Sequence, residues 1–146
     1  MTVDPNAPAP ATRFGEDKTV LVVEDEHRLL RVTATRLADL GFRVLEAGDG
    51  TAALEMLATH PEIEILYSDV VMPGALSGLD LAKRVQELYP HVHVILTSGY
   101  SAELMRETEG GLDLDVLRKP YRQPDLVRVF HEALQARAAA AGTAKS

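Results

Sequence analysis

The sequence predicts an α/β fold in which helices wind over both faces of a five-stranded parallel sheet. Short apolar runs recur at about positions 19–23, 43–47, 63–68, 92–96 and 114–117. Between them, apolar residues return every three or four positions, the period of an amphipathic helix. Several runs also end abruptly in polar side chains, so the sheet should have one chemically distinct edge.

Size and charge bound the reading further. The chain has 146 residues, enough for one domain with a full core, and its 22 acidic against 15 basic residues give a net charge of −7. That balance argues against nucleic acid as a partner, because phosphate backbones select a basic face. No apolar run has the length of a membrane span and no signal-peptide pattern opens the chain, so a cytoplasmic protein with no membrane partner is expected. With Cys 0, disulfides and thiolate metal sites are excluded.

In order, residues 1–17 hold Pro5, Pro8 and Pro10 with little to bury, and are expected to form a flexible tail. The folded unit should span 18–137, with an Ala-rich flexible tail at 138–146. Strand one, TVLVV, lacks polar alternation, as a strand buried on both faces requires. A first helix over 26–40 follows, with Leu30, Ala34, Leu37 and Leu40 on one stripe and Gly41 as its stop. Strand two covers 43–47, and Asp49 caps a second helix to about Thr59 with Ala53, Leu54 and Leu57 inward.

Strand three covers 63–68 and stops at Asp69, since Pro73-Gly74 forbids further regular structure. Ser77-Gly78-Leu79-Asp80 reads as a capping box opening a third helix, with Leu81, Ala82, Val85 and Leu88 inward. After strand four, a thin fourth helix is expected over 101–108. Strand five follows, then a final helix with Pro124 in its first turn and Leu126, Val129, Phe130, Ala133 and Leu134 on one face. Five such units, (βα)5, joined by right-handed crossovers, fit the flavodoxin-like sheet order 2-1-3-4-5.

That order gathers the strand ends. Strands one and three meet at the switch point, and neighbouring strands lie about 4.8 Å apart, so Glu24, Asp25 and Asp69 come within reach of one ion. Strands four and five place Thr97 and Lys119 on the other flank of Asp69. Crowded carboxylates call for a cation, and oxygen donors without Cys or His favour Mg2+. A metal on one side of a carboxylate, with a hydroxyl and an ammonium on the other, suits transfer of a phosphoryl group onto Asp69.

These residues resemble the receiver domain of two-component response regulators. The resemblance covers roughly residues 18–136 and rests on VLVVEDE at 20–26, SDVVMPG at 68–74, ILTSGY at 95–100 and RKP at 118–120. It implies Asp69 as phospho-acceptor, Glu24 and Asp25 as the acidic pocket with Asp25 the more direct ligand of Mg2+, and the Val71 backbone carbonyl as a further ligand. It implies that Thr97 binds the phosphoryl group, that Lys119 pairs with a phosphoryl oxygen, and that the Lys119–Pro120 bond is cis. A single-domain response regulator follows, phosphorylated by a sensor histidine kinase or phosphotransfer protein. It would signal to a downstream protein, and a homodimer through the first or last helices is compatible. It would be a phospho-acceptor rather than a turnover enzyme.

The chain departs from the usual receiver pattern at Val116, where family members usually carry an aromatic that moves with the Thr; Tyr100 is the nearest substitute. The 73–78 loop is also one residue longer, a trait shared, like TSGY, with receivers of hybrid histidine kinases. Val71 and Gly99 stand where side chains tune phosphoryl lifetime, and neither can orient a water, so slow hydrolysis is expected. The alternative is a phosphorylation-independent interaction module, which tends to lose one of Asp69, Asp25, Thr97 and Lys119. An aspartyl phosphatase needs an acid where Val71 stands, and a dinucleotide site needs G-x-G-x-x-G where VVEDEH stands.

Overall fold

The computed structural model describes residues 15–72, 74, 76–98, 115–119 and 121–145. Five strands are β1 (Thr19–Val23), β2 (Arg43–Ala47), β3 (Ile63–Asp69), β4 (His93–Ser98) and β5 (Asp115–Arg118). Four helices stand among the described residues: α1 (His27–Asp39), α2 (Gly50–Thr59), α3 (Gly78–Leu88) and α4 (Gln123–Lys145). All strand pairs are parallel, in the order β2-β1-β3-β4-β5. The expected flavodoxin-like topology is therefore the observed one. The helix expected over 101–108, together with Pro73, Gly99, Tyr100 and Pro120, lies outside the described residues.

Alternate residues along the central strands feed two cores. Val20, Val22, Ile65, Tyr67 and Ile95 face α1 and α4, meeting Leu37, Leu126 and Phe130. Leu21, Val23, Leu66, Val94 and Leu96 face α2 and α3, meeting Ala53, Leu57, Leu81 and Val85. Burial on both faces explains why β1 reads as a continuous apolar run and why β3 is apolar from Ile65 to Tyr67.

The helix boundaries follow local chemistry. The Asp49 side chain accepts from the Ala52 N–H at 2.8 Å, and Gly41 takes a φ of 101° after α1. Ser77 Oγ accepts from the Asp80 N–H at 3.1 Å while Asp80 Oδ2 accepts from the Ser77 N–H at 3.2 Å, so the capping box is closed. Leu88 is 60% exposed instead of inward. Tyr89 packs on the core in its place, because the buried row on α3 runs through Leu81 and Val85 at intervals of four.

Three stretches differ from expectation. Residues 15–18 form a turn bound to the end of α1, the Gly15 N–H donating to Leu40 O at 3.0 Å. Strand β4 runs on through Thr97 and Ser98, because both are paired in the ladder, opposite Asp69 and Arg118. Helix α4 continues to Lys145, past 137, consistent with the high helix propensity of the alanines there. On α4, the Arg137 guanidinium donates to the carbonyl oxygens of Glu64 and His91 and pairs with the Glu64 carboxylate at 3.2 Å. Lys18 Nζ lies 3.9 Å from the same carboxylate.

Gly78 is where α3 meets the end of β3. Its N–H donates to Val70 O at 2.8 Å, and a Cβ added here would stand 2.0 Å from the Asp69 carbonyl oxygen. Gly78→Ala must push α3 away from Asp69, and a loss of about 1–3 kcal/mol is expected by denaturant unfolding. Ser77→Ala, which removes half of the capping box without crowding Asp69, should cost about 1 kcal/mol.

Candidate functional site

The site lies at the carboxyl edge of the sheet, where register sets which residues meet. Val23 stands beside Ser68, and Asp69 beside Thr97. The residue that leaves β1, Glu24, therefore emerges next to Asp69, and its N–H donates back to Ala47 O at 3.1 Å. On the other flank Ser98 pairs with Arg118, and the Lys119 N–H donates to Ser98 O at 2.8 Å.

From there the Lys119 side chain reaches across β4 to Asp69, with Nζ 2.8 Å from Oδ2. The pair is partly sheltered, with side-chain exposure of 31% for Lys119 and 13% for Asp69. Charge-assisted hydrogen bonds of this length are stronger than neutral ones. The other carboxylate oxygen, Oδ1, accepts from the Val71 N–H at 3.2 Å. Burial pulls the Lys119 ammonium down, but the hydrogen bond and charge of Asp69 outweigh it and the net movement is upward.

Glu24 is buried, and its Oε1 accepts from the Glu26 N–H at 3.3 Å. Burial first, and then the Asp69 charge, push its carboxyl up to about 7, against the opposing pull of Lys119 and the Glu26 N–H. Thr97 is buried beside Asp69, and its backbone carbonyl accepts from the Val70 N–H at 2.9 Å.

Of the residues singled out from sequence, Glu24, Asp69, Thr97 and Lys119 line one crevice. Asp25 and Val71 stay outside it, both exposed. Adjacent residues leaving a strand point to opposite sides, which is why Glu24 turns in and Asp25 out. Among the described residues no three His, Cys, Asp or Glu side chains are gathered closely enough to hold a metal by themselves. Among the other residues that line the crevice are Tyr67 and Tyr121, which the sequence did not mark as part of the site. Their positions, two before Asp69 and two after Lys119, were the signal available.

Known proteins match the part of the chain that forms this fold. The family model of the response regulator receiver domain matches residues 20–131. The chain is 30% identical over 118 residues to the response regulator receiver protein CpdR of Brucella abortus (strain 2308), covering 80% of this chain and 97% of CpdR. It is 32% identical over 127 residues to the sensor kinase CckA of the same organism, covering 86% of this chain but only 13% of that kinase. Among solved structures, a response regulator receiver domain protein from Clostridium thermocellum superposes with a TM-score of 0.74 at 27% identity, covering 84% of this chain and 98% of that one. On its fold, its motifs and these matches, the chain belongs to the response regulator receiver domain family.

Proposed function

We propose that this receiver takes a phosphoryl group onto Asp69 from a sensor histidine kinase or phosphotransfer protein, with Mg2+, and signals by phosphorylation-dependent binding of a downstream protein. The observation that carries the reading is the Lys119–Asp69 ion pair at 2.8 Å, set between buried Glu24 and Thr97 in one crevice. An Asp69 oxygen forms the new bond to phosphorus as the bond to the donor nitrogen breaks. Lys119, already on the carboxylate, then has a phosphoryl oxygen to pair with, and Thr97 offers a hydroxyl on the same flank.

The donor set fits Mg2+. Burial first, and then the neighbouring Asp69 charge, push the Glu24 carboxyl up to about 7, and a cation beside the two carboxylates would offset the second of these. Glu24 and Asp69, which share the crevice, would hold the ion, which needs only one or two carboxylates and keeps several waters; Asp25 and the Val71 carbonyl, of residues outside the crevice, would join them only by turning towards it. Bound there, Mg2+ would neutralise charge on the phosphoryl oxygens.

The exposed Val71 side chain offers no polar group to orient an attacking water, which favours slow hydrolysis. Phosphoryl gain and loss are both self-catalysed on Asp69, so the protein acts as a phospho-acceptor rather than a turnover enzyme. A phosphorylation-independent module is not favoured, since Asp25, Asp69, Thr97 and Lys119 are all present.

Intact mass after incubation with a small phosphoramidate and Mg2+ tests the reading. The wild-type protein should gain one phosphoryl group and Asp69→Asn none; gain in neither protein would reject it. Lys119→Ala should still be modified, at a rate lower by about a hundredfold, as for loss of one charge-stabilising donor.

Proton and cation compete at Glu24, which sets a pH dependence. With its carboxyl raised from an ordinary 4.5 to about 7, Glu24 favours the fold fully at low pH, and that contribution is lost as pH rises towards and through about 7. The ionised form is the one that binds cation, so Mg2+ affinity should fall below about pH 7 by up to about tenfold per pH unit for one proton displaced. Calorimetric titration at several pH values should show this slope, and Glu24→Gln should flatten it.

A further inference from the structure

Tyr67 and Tyr121 make a contact that the chemistry above does not use. Tyr67 stands two residues before Asp69 on β3 and shares its face of the sheet, while Tyr121 stands two residues after Lys119. The Tyr67 hydroxyl donates to the Tyr121 hydroxyl at 2.5 Å, joining segments 54 residues apart in sequence.

The two partners are not equally free. The Tyr67 ring is buried and packs edge-on against Phe130 with centroids 5.2 Å apart; Phe130 in turn packs on Phe42 at 5.3 Å. Tyr67 is thus a fixed post in the core between the sheet, α1 and α4. Tyr121 is only half-buried, and the hydroxyl bond ties it to that post. Burial, and then Tyr121, push the Tyr67 phenol upward, so it stays a neutral donor across the working range of pH. A purely packing role would be met by two phenylalanines, without the cost of sheltering two hydroxyls.

Lys119 sits between two anchors. On one side its own N–H is held by Ser98 O at 2.8 Å, and two residues later the chain is held again through Tyr121. Both tyrosines line the crevice that contains Asp69, Thr97 and Lys119. We propose that Tyr67 and Tyr121 are positioning residues for Lys119: their hydroxyl pair fastens the segment that carries Lys119 to the strand that carries Asp69, so that the ammonium stays on the carboxylate. The effect on phosphoryl transfer rests on the function proposed above; the positioning of Lys119 does not.

Competitive acetylation of the full chain with trace acetic anhydride, read lysine by lysine by mass spectrometry, tests this directly. In Tyr67→Phe and in Tyr121→Phe, which keep the rings, Lys119 should be acetylated about twofold to tenfold faster, the span of one net hydrogen bond, while Lys18 and Lys83 do not change. Unchanged labelling of Lys119 in both variants would overturn the proposal, as would an equal rise at all lysines, which marks general loosening. Phosphorylation by the phosphoramidate should slow by a comparable factor in both variants. A normal rate alongside faster Lys119 labelling would overturn the consequence for transfer. If the wild-type protein takes no phosphoryl group, the function proposed above fails, and the labelling result still decides the positioning of Lys119.

Discussion

The ion pair between Lys119 and Asp69 is the interaction that the rest of the structure serves. Its partners come from β3 and the end of β5, which are not neighbours; β4 lies between them. Two strand spacings amount to about 9–10 Å, a gap that a long, flexible lysine stem can bridge where a short side chain could not. The bridge works only if the sheet order is 3-4-5 and if Asp69 faces Thr97 while Ser98 faces Arg118. A slip of one residue would send every side chain to the opposite face. The apolar layers around Leu66, Ile95 and Leu117, far from any chemistry, are therefore what keep the charged pair in register.

Much of this arrangement is written locally in the chain. The five strands are legible because each is a short apolar run with turn chemistry beside it, and the sheet order follows from handedness and strand count. The caps at Asp49 and Ser77 and the stop at Gly41 are likewise local, since each depends on residues within four positions. Glu24, Asp69, Thr97 and Lys119 were legible as strand-end residues, and their meeting follows from topology alone.

What escaped the sequence depends on direction or distance. Glu24 and Asp25 are chemically similar neighbours, and only the path of the chain leaving β1 decides that one is buried and the other exposed. Leu88 and Tyr89 compete for one position on the core, and the row through Leu81 and Val85 favours the tyrosine. Thr97 and Ser98 do not look like strand interior, because their polarity hides a ladder whose partners lie elsewhere in the chain. The bond between Tyr67 and Tyr121 cannot be read from either segment alone. It exists because the fold brings together two segments that sequence spacing keeps apart.

The two edges of the sheet are held by different means. At the amino edge, Arg137 and Lys18 converge on Glu64, with backbone carbonyls as further acceptors. Towards the carboxyl edge, aromatic rings lead from Phe42, just before the start of β2, through Phe130 to Tyr67 and on to the Tyr121 hydroxyl. This has an optical consequence. The chain has four tyrosines and no tryptophan, so phenol rings alone dominate its near-ultraviolet absorption and its intrinsic fluorescence. Two of those four rings border the carboxylate crevice, one immobilised in the core and one on the segment beyond Lys119. The protein therefore carries an unlabelled chromophore pair at its reactive edge, with no indole signal to mask it.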